Sequence, residues 1–504
     1  MTNLLFDALF GVHAGSQARF IETPDGRTIR YAEFLALVAQ FANVIRDRGL
    51  EPGDRVAAQV HKSVEALALY GACVQSGAVF LPLNTGYTAD ELGYFVSDSG
   101  AALLVGDPAA EARLAPLAAD LGAQFLTLGG DGGGSFAQEA AGKPRQADIA
   151  PRSRDDLASL LYTSGTTGRS KGAMLTQGNL LSNAQALVEH WRFTSEDTLL
   201  HALPIFHTHG LFVACNVTLQ VGGALVYLPT FDLDDVFRLM PKCTAMMGVP
   251  TFYTRLLSDP RLTAEATGNM RVFISGSAPL LAETHVSFAQ RTGHTILERY
   301  GMTETNMNTS NPYSGERRAG TVGQPLPGTE VIITDPDTGQ ERSAGEIGSI
   351  EVRGENVFQG YWNMPEKTAE ELRANGFFIT GDLGKFDADG YLHIVGRSKD
   401  LIISGGYNIY PKEVELVLDE VPGVVESAVV GVPHADFGEG VLAVLVQGEQ
   451  GAIDLDAVQD AVSGQLAKFK HPKRYVLISG LPRNTMGKVQ KNVLRDTYAT
   501  EFQL

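Results

Sequence analysis

The sequence predicts an α/β protein with largely parallel sheets, followed by a more antiparallel β region and a small α+β unit. Three observations carry that prediction. Short β-type apolar runs alternate with helical patterns through the first part of the chain, the order expected of layered strand–helix–strand units. The texture changes after about residue 320, where short strands are separated by turn signals. The chain is 504 residues long, 44% hydrophobic and 19% charged, so it can bury a large core and has room for several domains.

Taken in order, "GDRVAAQV" opens a strand after a Gly-Asp turn, "SVEALALYGACVQSG" carries a helical pattern, and "AVFLPLN" is the next apolar run. The alternation recurs at "AALLVGD", "TAMMGVPTFYTRLL" and "MRVFISGSAPL". "GGDGGGS" at Gly129–Ser135 reads as a flexible surface loop. No Asp, Glu, Lys or Arg occurs from Thr198 to Phe231; the His, Asn, Gln, Pro and Gly there fit a buried sheet region rather than a membrane span. "GTEVIITDPDTGQE", "GEIGSIEVRG" and "DGYLHIVG" read as short strands. A smaller unit begins near Arg397, where "KEVELVLDEVPGVVESAVVGVP" and "GVLAVLVQGE" give helix–strand–strand order. The charged link Ser398–Asp400 is the expected hinge, dividing the chain into domains 1–397 and 401–504. No solenoid-type repeat is present.

The formal net charge is −18, which argues against general binding to nucleic acid or anionic membranes. One segment departs from that average: Lys468–Arg495 holds eight Lys/Arg and no Asp/Glu. It reads either as a solvated face or as a surface that meets an anionic ligand. Cys73, Cys215 and Cys243 are scattered without a CxxC, which suits a reducing cytoplasm and supplies no disulfide or metal framework. The N-terminus lacks a positive n-region and Asp7 interrupts its apolar run, so a signal peptide is not expected.

The sharpest chemical signal is "LLYTSGTTGRSKG", Leu160–Gly172. A strand-like run feeds Ser, Thr and Gly residues, then Arg169 and Lys171. Glycines let backbone N–H groups approach an anion and hydroxyls add donors, so a phosphate-binding loop is favoured over a plain hairpin turn. The spacing is not that of a Walker A loop, because no Ser/Thr follows the lysine. "RNTMGKVQK" at 483–491 is an equally specific-looking lysine motif near the chain end. His207 and His209 form an H-x-H pair without a nearby carboxylate, which is weak evidence for a metal.

Together these motifs resemble the acyl-adenylate-forming superfamily of acyl-CoA synthetases, carrier-protein adenylation domains and luciferases. "YTSGTTGRSKG", "PIFHTHG" (204–210), "ISGSAPL" (274–280), "RYGMTET" (299–305), "ITGDLGKFDADGYLHIVGRSKDLIISGGYNIYP" (379–411) and "PRNTMGKVQK" (482–491) occur in the family's order. The resemblance implies activation of a carboxylate by ATP to an acyl-AMP, release of pyrophosphate, then transfer to a thiol. It implies phosphate contacts from Thr163, Ser164, Gly165, Thr166, Thr167, Gly168 and Lys171. Tyr300 would stack on adenine opposite Ser277, Ala278 and Pro279. Thr303 would bond the α-phosphate, Glu304 would hold Mg²⁺, and Asp382 with Arg397 would take the ribose hydroxyls. His207, Ser277 and Met302 would border the acid pocket. Gly405, Gly406 and Tyr407 would flank the pantetheine of CoA, with Arg474 among the contacts for its phosphates. Rotation about Lys399 and Asp400 would present Lys488 for adenylation and then remove it, making the C-terminal domain a mobile lid.

Arg299 bears on the substrate. Relatives that take apolar acids often carry Gly before the adenine-stacking Tyr. An arginine without an acidic partner is costly in a dry tunnel, but it can hold a second carboxylate bidentately. A salt bridge to Glu298 is the structural alternative. "ERYGMTETNMNTSNPYSGERRAGTVG" is similar to malonyl-CoA synthetases, which implies malonate as substrate and methylmalonate as a secondary one. A short- or medium-chain monocarboxylate–CoA ligase is the alternative, and a nucleotide sensor without chemistry is a distant one, since Lys171, Glu304, Asp382, Arg397 and Lys488 are all present. An exposed Lys488 would also be open to a protein acetyltransferase and deacetylase, since acetylation erases its charge.

Overall fold

The computed structural model describes residues 3–163, 170–405, 407–448, 453–484 and 487–502. The chain divides into two compact units, residues 1–331 with 352–378, and residues 332–351 with 379–504.

The first unit contains two large sheets. In the nine-stranded one, the strands Leu297–Met302, Val272–Ser275, Ala245–Gly248, Thr198–His201, Ala224–Tyr227 and Arg19–Glu22 lie side by side in that order and are all parallel. The charge-free stretch supplies two of these strands, both fully buried, as strands covered on both faces must be. The six-stranded sheet is parallel through Arg55–Gln59, Val79–Pro82, Leu103–Gly106 and Gln124–Thr127, and turns antiparallel between Leu157–Thr163 and Lys171–Thr176.

Local chemistry explains the elements. The helix Val64–Ser76 starts at Ser63, whose side chain accepts from the Ala66 N–H, and ends at Gly77 in the left-handed region; these are a standard N-cap and C-cap. Nearly every residue of it is buried, which accounts for its apolar composition all round. Gly129–Ser135 leads as a loop into the helix Ser135–Ala141. The Gly129 N–H donates to the Gly133 carbonyl at 2.8 Å, and Asp131 Oδ1 accepts from the Gly133 N–H at 2.9 Å. Those bonds close an ordered turn.

The strands Thr329–Thr334, Gly348–Gly354, Phe378–Phe386 and Leu392–Arg397 form a four-stranded sheet in that order. In the second unit, the helix Pro411–Asp419 precedes the hairpin strands Val424–His434 and Gly438–Gln447, the helix–strand–strand order read from the sequence. Ser398–Asp400 is a short 3₁₀ turn within this unit. Among the described residues no helix is long and apolar enough to cross a membrane.

Candidate active site

Ligand crevices of parallel sheets lie beyond the carboxyl ends of the strands, and the predicted acid-site residues gather there. Ser275, the last residue of its strand, pairs with Glu298 of the neighbouring strand. Gly276 therefore falls beside Arg299, and a Cβ on Gly276 would lie 2.4 Å from Arg299 Cζ. The glycine makes the space in which the guanidinium lies. Arg299 is 2% exposed, and its Nε and Nη2 have no hydrogen-bond partner among the described residues. Burial pushes its pKa down to about 9. Tyr253 lies close enough to interact electrostatically but donates its hydroxyl to the Ile274 carbonyl at 2.6 Å. Glu298, the preceding residue, lies on the opposite strand face and accepts from the Leu280 N–H at 3.2 Å. The guanidinium is a desolvated cation with two of its three nitrogens unpartnered among the described residues.

His207 and His209 enter from the next element. His209 begins a π-helical segment, His209–Cys215, that runs into the helix Asn216–Val221; π-bulges are frequent at functional sites. Gly210 is required there, because a Cβ would lie 2.0 Å from the Pro204 carbonyl oxygen. His209 Nδ1 meets Ser277 Oγ at 3.1 Å. Ser277 has φ +72, a left-handed conformation uncommon outside glycine and a mark of functional strain. Burial, then the charges of Arg299, His207 and His201, hold His209 well below the usual histidine range, so its imidazole is neutral beside the guanidinium. His207 is half-buried at the turn preceding this helix.

Tyr300, Met302, Thr303 and Glu304 come from one hairpin. Leu297–Met302 pairs with Asn306–Ser310, Met302 faces Asn306, and Asn306 takes φ +51. That leaves a three-residue loop, Thr303–Thr305, closed by a left-handed residue. The register shifts between Tyr300 and Gly301, and a Cβ on Gly301 would lie 1.9 Å from the Asn306 carbonyl oxygen, so the bulge needs glycine. Tyr300 is mostly buried, Ala278 half-buried and Pro279 exposed. Glu304 is 5% exposed, and its Oε1 accepts from the Tyr361 hydroxyl at 3.0 Å. Thr163 and Lys171 are cross-strand partners; Ser164, Gly165, Thr166, Thr167 and Gly168 lie outside the described residues.

In the second unit, Asp382 and Arg397 are direct cross-strand partners, with Arg397 Nε 2.8 Å from Asp382 Oδ1. Gly405 has φ +58 and donates its N–H to the Phe437 carbonyl at 2.9 Å; Gly406 lies outside the described residues. Tyr407 is 57% exposed and stacks on Phe469 at 4.7 Å. Arg474 pairs with Glu501 at 2.7 Å. Lys470, Arg483, Lys491 and Arg495 of the basic stretch are likewise paired with acids, so much of it is internal charge balance. Lys488 is exposed on a turn where Asn484 Oδ1 accepts its N–H at 3.0 Å. Lys399 is pushed down to about 8, by burial first and then by the Arg397 charge.

Against this geometry stands the match to known proteins. The profile described as "AMP-binding enzyme" matches residues 12–362, and that of the "AMP-binding enzyme C-terminal domain" matches 413–488. The chain belongs to the AMP-binding enzyme family. It is similar to ATP-bound MatB from Rhodopseudomonas palustris, 58% identical with a TM-score of 0.98 and all of both chains covered. It is 37% identical to a feruloyl-CoA synthase from Amycolatopsis sp, over 93% of this chain and 94% of that one. It is 32% identical to a malonate–CoA ligase from Arabidopsis thaliana, over 97% of this chain and 88% of that one.

This AMP-binding enzyme also brings in residues that sequence reading missed. The segment Gln359–Trp362 runs alongside the Lys171 strand, with Ala173 bridged to Tyr361 and the Trp362 N–H donating to the Gly172 carbonyl at 2.7 Å. Lys171 Nζ lies 4.1 Å from the Tyr361 ring centroid and 3.2 Å from both carboxylate oxygens of Glu371. Lys62 Nζ sits 2.7 Å from His201 Nδ1, while His201 Nε2 lies 2.8 Å from the Gly210 carbonyl oxygen at the π-helix start. No local pattern announces Tyr361, Glu371 or Lys62, and the ISGSAPL motif that contains Gly276 does not reveal its role beside Arg299; each is placed by tertiary pairing.

Proposed function

We propose that this enzyme is an ATP-dependent malonate–CoA ligase that forms malonyl-CoA through malonyl-AMP, releasing AMP and pyrophosphate, with methylmalonate as a secondary substrate. One observation carries the choice of acid. Arg299 is a buried guanidinium at the strand ends with Nε and Nη2 unpartnered among the described residues, near a neutral His209 that meets the Ser277 hydroxyl. A second carboxylate supplies its missing counter-charge in bidentate geometry. Neither a monocarboxylate nor ferulate, with its single carboxylate, offers that charge, so the arginine favours the malonate relatives over the feruloyl-CoA synthase.

The reaction joins a weak nucleophile to an anionic phosphorus, so charge neutralisation and alignment are most of the task. Thr163 and Lys171 bind the terminal phosphates, Tyr300 with Ser277, Ala278 and Pro279 frames the adenine, and Asp382 with Arg397 binds the ribose. Thr303 donates to the α-phosphate. Glu304 is a buried carboxylate oxygen donor of the kind Mg²⁺ prefers, and one carboxylate together with nucleotide phosphates is an ordinary Mg²⁺ set. Bound there, Mg²⁺ supplies charge neutralisation at the phosphates. Lys488 provides positive charge for adenylation, Met302 and His207 shape the acid end, and Gly405, Gly406, Tyr407 and Arg474 serve CoA. Lys399 and Asp400 act as the hinge between domains 1–397 and 401–504. Acetylation of Lys488 would switch adenylation off.

Product identification tests this. Incubation with malonate, ATP, Mg²⁺ and CoA should give malonyl-CoA with AMP and pyrophosphate by mass spectrometry and phosphorus NMR. Formation of ADP and phosphate, or no thioester from any small diacid, would overturn the assignment.

A further inference from the structure

The phosphate-loop lysine already has an anion. Glu371, the last residue of the helix Pro365–Glu371, receives Lys171 on both carboxylate oxygens at 3.2 Å. Glu371 Oε2 also accepts from the Tyr361 hydroxyl at 2.7 Å, while the same hydroxyl lies 3.0 Å from Glu304 Oε1. A phenol has one hydrogen, so Tyr361 can donate to only one of the two carboxylates at a time. On its far side, Glu371 Oε1 is 3.0 Å from Lys367 Nζ. Half-burial alone would raise the Glu371 carboxyl; the Tyr361 hydrogen bond and the two lysines hold it below the usual range. It is therefore ionised where the chain expects nucleotide phosphates.

We propose that Glu371 is a resident counter-anion that competes with the terminal phosphates of the nucleotide for Lys171. The proposal rests on the reading of Lys171 as a phosphate ligand and deepens it. A nucleotide that engages Lys171 takes it from Glu371, which stays compensated because Lys367 and Tyr361 still hold it. Were Glu304 engaged by Mg²⁺, the single Tyr361 hydroxyl hydrogen would remain available to Glu371 Oε2 at 2.7 Å. When pyrophosphate is formed, Glu371 recaptures Lys171 and thereby favours departure of the trianionic to tetra-anionic product. Glu371 thus tunes both ATP affinity and pyrophosphate inhibition without touching the reacting atoms, as a positioning residue.

The test is calorimetric titration of Mg²⁺·ATP and of Mg²⁺·pyrophosphate into the full chain and its variants. Glu371→Gln, which keeps the volume, should tighten both by about twofold to fivefold, the range for loss of a partly exposed competing ion pair. Pyrophosphate should become a correspondingly stronger inhibitor. Lys367→Met, on the exposed side, should weaken both about twofold to fivefold, and should do nothing in the Glu371→Gln background. Lys171→Met separates the two layers of the reading. If it leaves both affinities unchanged, Lys171 is not a phosphate ligand and both readings fall. If it weakens them while Glu371→Gln leaves them unchanged or weakens them, the phosphate site stands and the competition is refuted. Equal effects of Lys367→Met with and without Glu371 refute it as well, even should Glu371→Gln fail to fold.

Discussion

Replacing Arg299 by methionine should make the protein more stable and nearly inactive on malonate. In the folded chain the guanidinium is 2% exposed with two nitrogens unpartnered. Burial moves its pKa from 12.5 to about 9; at about 1.36 kcal/mol per unit, the charged form is penalised by at most about 5 kcal/mol. An arginine stays protonated in proteins, and His209, Ser277 and local relaxation recover part of that cost. Exchanging buried ionic groups for apolar ones of similar volume stabilises by about 1–4 kcal/mol, and unbranched methionine adapts to the vacated channel. We therefore expect a gain of about 1–3 kcal/mol in the absence of ligands, read as a higher Tm. The same change removes the counter-charge for a second carboxylate, and a site left without such a polar partner loses about 10⁴–10⁵ in discrimination. ATP affinity should stay near wild type, since Arg299 is assigned to the acid. Calorimetric melting, pyrophosphate-release kinetics and ATP titration read the three quantities. A lowered Tm with normal ATP binding would show that Arg299 is a structural ion, and retained malonate turnover would refute its role in recognition.

Gly276→Ala should reproduce much of the Arg299 defect with the fold intact, because its Cβ would overlap the mobile end of the guanidinium at 2.4 Å rather than backbone; KM for malonate should rise while KM for ATP holds. Lys488→Ala should cost about 10²–10³ in adenylation, as for loss of one preorganised charge donor, and leave thioester formation from supplied malonyl-AMP intact. Asp382→Asn should weaken ATP binding by roughly 10–100-fold, the worth of a charged hydrogen bond of about 1.5–3 kcal/mol, measured by titration. His201 and His209 both have pKa values held well below 6.5 by burial. The unfolded chain therefore binds protons that the folded chain refuses. Their contribution is fully present above about pH 6.5 and is lost as the pH falls toward their folded values, so chemical-denaturation stability should decline below pH 6.5 and less so in His209→Gln.

The alternation of apolar runs and helical patterns was enough to read the parallel sheets, because strand burial on both faces leaves a continuous apolar signature. The change of texture near residue 320 and the helix–strand–strand order after Arg397 were legible for the same reason: turn residues mark hairpins locally. Gly129–Ser135 was legible as a loop, but composition does not reveal that Asp131 and a backbone carbonyl close its turn. Arg299 stood out by resemblance, because relatives that take apolar acids often carry Gly before the adenine-stacking Tyr. The glycine that accommodates it did not, because its role appears only when Ser275 is registered against Glu298. Glu371 and Tyr361 were invisible for a related reason: they reach Lys171 through a segment about 190 residues away in the chain, and no spacing rule spans that distance.

The central claim is that a buried guanidinium selects a second carboxylate, and the ratio of kcat/KM for malonate to that for butyrate tests it most directly. Pyrophosphate release by the wild-type chain with ATP, Mg²⁺ and CoA should favour malonate by about 10⁴ or more. Parity, or a preference for butyrate, would contradict it.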